Sequence, residues 1–206
     1  NRDALNSEIP GSVRTEWIAS GGAILPRNEE SATSLASLLS CPLQWTLKYA
    51  SKLYPGSRQS LKKSDQLIGL IAHKIAQEFF LPGEAPLPER VLSFAEKRLE
   101  ELLPIMGATL LLPGQAKELA AAKRIVPESL ADLSRFLRTE RMSIIATEHS
   151  FKEKDTLGEK TGVGGSIDLL AKDVHGRKVV IDLKWGFTDS SRRSELENGV
   201  ALQLAI

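Results

Sequence analysis

Gly165-Ser-Ile-Asp-Leu-Leu170 and Val179-Val-Ile-Asp-Leu-Lys184 stand on either side of the polar segment Asp173-Val-His-Gly-Arg177. The middle segment carries a Gly among polar residues, the mark of a turn. Each flank is short and rich in Val, Ile and Leu, as a strand is. The three pieces predict a β-hairpin. With its centre near His175, Asp168 and Asp182 face each other across the pair. A register slip of two leaves them on one face, because side chains alternate with period two. Lys184 lies two residues past Asp182 and points the same way. Two carboxylates and an ammonium on one face of a mostly apolar hairpin are costly to bury without a purpose. A divalent metal held between the carboxylates supplies that purpose. The alternative is an exposed face with an ordinary ion pair, and the apolar flanks argue against it.

Working outward, Ser143–Phe151 reads as a strand preceding the hairpin, with Thr161–Ala171 and Lys178–Trp185 as the hairpin's two arms. Upstream the pattern is helical. Ser64 or Asp65 is placed to cap a helix running to about Phe80, with Ile68, Ile71, Ile75 and Phe79 as its apolar stripe. Gly69, His73 and Gln77 form a second stripe at a spacing of four. Leu81–Pro88 is a connector. Helical segments follow at about 88–103 and 114–140, with Pro127 placed to break or kink the second. Lys123, Arg124, Arg135, Arg138 and Arg141 give this region a basic tint. Ser31–Ser34 offers N-cap residues for a helix, or two helices broken around Pro42, that carries Leu35, Leu38, Leu39, Leu43, Trp45, Leu47 and Tyr49. Trp45 is expected in the core. Residues 1–33 read as an irregular or partly extended lead-in, and Glu195–Ile206 as the start of a last helix. The order is helices, three strands, then a helix, which predicts a single α/β domain with a mixed central sheet flanked by helices and an additional N-terminal helical region.

Composition sets the bounds. The chain has 206 residues, enough for one domain with a substantial core, and 26% of them are charged, as in an ordinary soluble protein. Net charge is +1, so a polyanion site has to be a local basic patch. No apolar run is long enough to span a bilayer. The single Cys, Cys41, rules out an internal disulfide and suits a reducing, cytoplasmic setting. Its bland reading is a core thiol. The chain opens without Met and reads as a piece of something larger. A phosphate-binding Gly-rich loop with Lys and Ser/Thr is absent, as is a Gly-x-Ser-x-Gly elbow, and one Cys with three scattered His makes a poor zinc site.

Taken together, these motifs resemble the PD-(D/E)XK nuclease superfamily, and within it the RecB/AddB-type exonuclease branch. Gly69-Leu-Ile-Ala-His73 is similar to that branch's helical Gly-x-x-x-His motif. Gly165-Ser-Ile-Asp168 is similar to its Gly-x-x-Asp strand, and Ile181-Asp-Leu-Lys184 to its Asp-x-Lys strand. Glu195–Gln203 resembles the helix whose Gln precedes a Tyr, and Ser34–Pro42 the helical Ser-x-Leu...Cys-Pro opening. The resemblance covers roughly residues 34–206 and implies a restriction-endonuclease-like core there, truncated at its C-terminus. The expected Tyr would fall just past Ile206, and Trp185 stands where Thr is commoner.

The resemblance implies metal-dependent hydrolysis of DNA, with DNA as partner and a helicase–nuclease parent in recombination or repair. Asp168 and Asp182 would hold Mg²⁺ or Mn²⁺, with His73 and the backbone carbonyl of Leu183 as further ligands. Lys184 would orient or deprotonate water, or stabilise charge on the phosphate. Glu148 sits where some members place another acidic group. Gln203 would contact nucleic acid or brace Lys184, and Arg192 and Arg193 would bind phosphates unless they are a plain solvated loop. Cys41 occupies the upstream position of a 4Fe-4S ligand set whose other members would lie beyond this chain. His149 and His175 are expected on the surface. Two other readings stay open: a stand-alone phage-type or Cas-associated exonuclease, and a catalytically silent scaffold or DNA-binding module.

Overall fold

The computed structural model describes residues 27–53, 63–154 and 161–185. Its three longest helices pack together and against a mixed sheet. Helix α3 spans Ser64–Phe79, α4 Pro88–Met106 and α5 Ala116–Thr139. Each buries a stripe at helical spacing: Leu67, Ile71 and Ile75 from α3; Val91, Ala95 and Leu99 from α4; Val126, Leu130 and Leu137 from α5. The buried face of α3 is turned slightly from the stripe read in sequence, since Leu67 is buried and Ile68 only partly so. Lys63 takes the N-cap position, and its N–H donates to Gln66 Oε1 at 3.3 Å. Pro127 does not break α5. It is fully buried, so ring packing offsets the one backbone bond that proline removes. Phe79 and Phe94 stack with centroids 4.5 Å apart, and Arg98 on α4 grips Glu78 on α3 through two N–H donors at 2.6 and 3.0 Å.

The hairpin forms as the alternation predicts. Strand β4 (Gly162–Lys172) pairs antiparallel with β5 (Lys178–Ile181), with Leu169 opposite Ile181 and Lys172 opposite Lys178. That register centres the turn on His175. Asp173 closes it by accepting the N–H groups of His175 and Arg177 at 2.8 and 2.9 Å. On its other edge β4 pairs antiparallel with β3 (Ser143–Glu153). Leu169 and Ala171 of β4, with Ile144 of β3, join the helices in the core.

Two short strands complete the sheet. Glu29 and Glu30, within the stretch read as a lead-in, form β1 and pair parallel with Gly162 and Val163. Gly83 and Glu84, within the stretch read as a connector, form β2 against β3. Beside β1, Glu30 is buried and gathers donors: Arg27 Nη1 at 2.7 Å, Trp45 Nε1 at 3.4 Å and the Ser34 hydroxyl. This network binds β1 to the N-terminal helices.

Those helices are α1 (Ala32–Ser40) and α2 (Pro42–Trp45), the latter continuing as a π-helical turn over Thr46–Ala50. Ser31 caps α1 by accepting the Ser34 N–H at 3.2 Å. The break falls at Pro42, which starts α2 at a position where proline is tolerated. Two expectations fail here. Trp45 is half-buried on Glu30 rather than part of the core, and Cys41 is exposed rather than a core thiol. Both follow from geometry, because α1 and α2 lie outside the three-helix core and expose Leu39, Leu43 and Leu47.

Candidate metal and nucleic-acid site

The site forms where β5 ends. Strand pairing stops at Ile181, short of the Trp185 limit read from sequence, because the Leu183 N–H donates to Asp168 Oδ2 at 2.6 Å. A carboxylate thus replaces a backbone acceptor, and the chain peels from the sheet beside it. Alternation nevertheless persists: Ile181, Leu183 and Trp185 pack on the core, while Asp182 and Lys184 are exposed. Lys184 Nζ donates to Asp182 Oδ1 at 2.6 Å. The two residues point the same way, as their spacing predicts.

Helix α3 brings His73 to the same place. Its Nε2 lies 3.0 Å from the Leu183 carbonyl oxygen. Its Nδ1 lies 3.3 Å from Glu148 Oε1 and 3.7 Å from Asp168 Oδ1. One turn earlier, Gly69 lies against Trp185, and a Cβ there would reach the Trp185 Cβ at 3.4 Å. The residue after the Asp-x-Lys run is therefore seated on the helix that carries His73.

Glu148 is the residue that sequence reading weighted too little. The β3–β4 register, with Thr147 opposite Leu169 and His149 opposite Ile167, sets it across from Asp168. Its backbone φ is +51°, an uncommon conformation for a non-glycine residue and worth a functional question. Ser166 Oγ donates to its other oxygen at 3.4 Å. Nothing in local sequence marks this; the signal is its register partner, which is visible only once the two strands are aligned.

One ligand atom from each of His73, Glu148 and Asp168 lies within 4.8 Å of the others, a spacing that suits a shared metal ion. The donors are imidazole and carboxylate, which fit Mn²⁺ and, through the oxygens, Mg²⁺. Burial pushes the Asp168 carboxyl above its ordinary pKa; Asp182 adds to this, while the Leu183 N–H, His73 and Lys184 oppose it. A cation beside it would reverse the penalty. Asp182, expected as a second ligand, accepts a hydrogen bond from Lys184 and is not one of this trio. The site is not sealed: His73, Gly69, Leu183, Lys184 and Trp185 line a groove of about 440 Å³.

The other anticipated residues fall as follows. Gln203, Arg192 and Arg193 lie outside the described residues. His149 and His175 are exposed, as expected. The basic tint of α5 is largely neutralised: Lys123 pairs with Glu100 at 2.7 Å, Arg124 with Glu128 at 3.2 Å, and Arg135 with Asp132. Arg138 donates to the Ala85 carbonyl at 2.8 Å.

A mixed sheet flanked by helices carries a His and two carboxylates beside an Asp–Lys pair, with His73 and Lys184 reaching an open groove, the arrangement of a nuclease-like α/β fold. The chain belongs to the PD-(D/E)XK nuclease superfamily, whose family model matches residues 29–206. The match begins at β1, so the short strand is part of the family region. No curated protein matches the chain. Members of this superfamily are generally metal-dependent nucleases. Among the described residues, no helix is long and apolar enough to cross a membrane.

Proposed function

We propose that this protein is a Mg²⁺- or Mn²⁺-dependent deoxyribonuclease of the RecB/AddB type, acting on DNA ends in recombination or repair as part of a helicase–nuclease parent. The observation that carries the nuclease reading is the convergence of His73, Glu148 and Asp168 beside the Asp182–Lys184 pair, in a chain of this superfamily. The ordered motifs Gly69–His73, Gly165–Asp168 and Ile181–Lys184 support the branch. The exonuclease activity, the repair role and the parent rest on that analogy.

His73, Glu148 and Asp168 would hold the metal, with Asp182 adjacent. A bound divalent ion supplies charge neutralisation on the phosphoryl oxygens and a more acidic water. The chain's own groups do the rest. Lys184 presents its ammonium to the phosphate or to the attacking water, and Asp182 fixes where that ammonium sits. Water adds to phosphorus, the bond to the leaving sugar oxygen breaks, and that oxygen takes up a proton. The groove beside His73 and Lys184 would receive the polynucleotide, with Trp185 as part of its wall.

The test is degradation of end-labelled single- and double-stranded DNA with Mg²⁺, Mn²⁺ or EDTA. The reading requires metal-dependent shortening that EDTA stops. Binding of DNA without cleavage in either metal would identify a silent module, and internal cuts would refute action at ends.

A further inference from the structure

Beside the groove that holds His73 lies a second, apolar space. Early in α5 stand Ala120, Ala121 and Ala122, where later turns carry Val126, Leu130 and Leu137. Small side chains leave a gap between α3 and α5, and a cavity of about 480 Å³ opens there. Ile68 from α3, Ala121, Ile125 and Leu133 from α5, and Trp185 form its apolar wall. Such a volume, lined mainly by apolar groups with a few polar ones, is that of a pocket for a small, flat ligand. Leu183, Lys184 and Trp185 line both this cavity and the groove beside His73, so the two spaces meet at the Asp-x-Lys run. Among the described residues the indole N–H of Trp185 is buried without an acceptor, so the shared wall is itself unsatisfied.

Charge decides which part of a polynucleotide fits. An apolar interior turns a phosphate away and suits the face of a base. Asp65 and Glu118 also line the cavity, and their carboxylates only accept hydrogen bonds, which matches amino groups on a base edge. Lys117 lines it too and has no ion-pair partner among the described residues, unlike Lys123, Arg124 and Arg135 further along α5. Lys117 and Lys184 thus offer cations to a sugar–phosphate backbone, and the apolar wall offers a seat to the base between them. We propose that this cavity is a nucleobase pocket: a single strand passes Lys184, and one base next to the scissile phosphate turns into the space between α3 and α5. Placing that phosphate at Lys184 rests on the nuclease reading above. A paired base has to leave its stack before it can enter, so the pocket selects for unpaired DNA.

Binding of single-stranded oligonucleotides to the full chain, with Ca²⁺ as the only divalent ion, tests this without cleavage. A 2-aminopurine moved along the strand should be shielded from acrylamide quenching at one position. An abasic site at that position should weaken binding about tenfold, within the range for loss of one base contact, and elsewhere far less. Ala121→Phe fills the cavity from α5 without touching His73, Asp182 or Lys184, and Ser129→Leu is a second filler from the same helix. In whichever filler keeps the parent's circular dichroism, intact DNA should bind about tenfold more weakly, and the abasic site should cost nothing further. The scan of the parent needs no variant. Uniform quenching along the strand, an abasic penalty independent of position, or a folded filler that binds like the parent would overturn the pocket. Uniform quenching is also the result expected if the chain following Trp185 fills the space instead. The same strands in Mn²⁺ separate the two readings. One shielded base without shortening would sink the nuclease reading and keep the pocket, and shortening without a shielded base would do the reverse.

Discussion

Replacing Asp168 with Asn separates the metal reading from a purely structural one. Burial raises the pKa of Asp168, so the ionised carboxylate is a cost to the metal-free fold. With a raised folded-state pKa, that cost is absent below the unfolded value, grows as pH rises above it and is complete above the folded value. Asn removes the charge and keeps an oxygen to accept the Leu183 N–H, now held at 2.6 Å. Metal-free Asp168→Asn should therefore melt no lower than the parent at neutral pH. The metal response should be lost. A metal at about 100 times its Kd stabilises the fold by about 2.7 kcal/mol. For a domain of this size that is about 5–11 °C in Tm. Thermal denaturation with Mn²⁺, with EDTA, and with KCl at matched ionic strength measures both arms. The parent should gain this shift with Mn²⁺ alone, and the variant should gain almost none. An equal Mn²⁺ shift in both proteins would refute the site. A metal-free loss of about 3–5 kcal/mol, the scale of breaking a buried ion pair, would show that the carboxylate is structural instead.

Other substitutions test neighbouring parts of the account. Lys184→Ala should abolish DNA cleavage while leaving circular dichroism and Tm nearly unchanged, because the Lys184–Asp182 pair is substantially exposed. Gly69→Ala should stabilise the protein by about 0.5–1 kcal/mol in urea denaturation, since Ala is the better helix former and its Cβ makes only ordinary contact with Trp185. A larger residue such as Gly69→Leu should displace Trp185 and change the indole fluorescence. Glu30→Ala should cost about 1–3 kcal/mol, by leaving Arg27, Ser34 and Trp45 without their shared acceptor. The Arg98 hydrogen bonds lower the Glu78 pKa, so this pair should stabilise the fold above the ordinary carboxylate range and lose its effect as pH falls through the depressed value. An Arg98→Ala protein should accordingly show a shallower loss of stability in acid.

What could be read in advance depended on the length of each pattern. The hairpin was legible because six-residue apolar runs flank a polar turn, and a period of two then fixes the relation of Asp182 to Lys184. His73 was legible as a chemical residue on a helical stripe. Strands β1 and β2 were not, since two residues carry no periodicity and their pairing comes from neighbours already in place. The end of β5 was overestimated because alternation continues to Trp185 while the backbone bonding does not; Asp168 takes the Leu183 N–H. Glu148 was named on family resemblance alone for a related reason, as its partner is set by the register of β3 on β4 and its conformation by a local positive φ. Trp45 was expected in the core, and only the placement of α1 and α2 outside the three-helix packing shows otherwise.

The central claim is that His73, Glu148 and Asp168 share one divalent cation. Anomalous diffraction at the manganese edge, from crystals of the full chain soaked in Mn²⁺, tests this directly. One strong peak is expected, bounded by the His73 ring and the two carboxylates, with Lys184 alongside. A peak elsewhere, or none with the groove open to solvent, would contradict it.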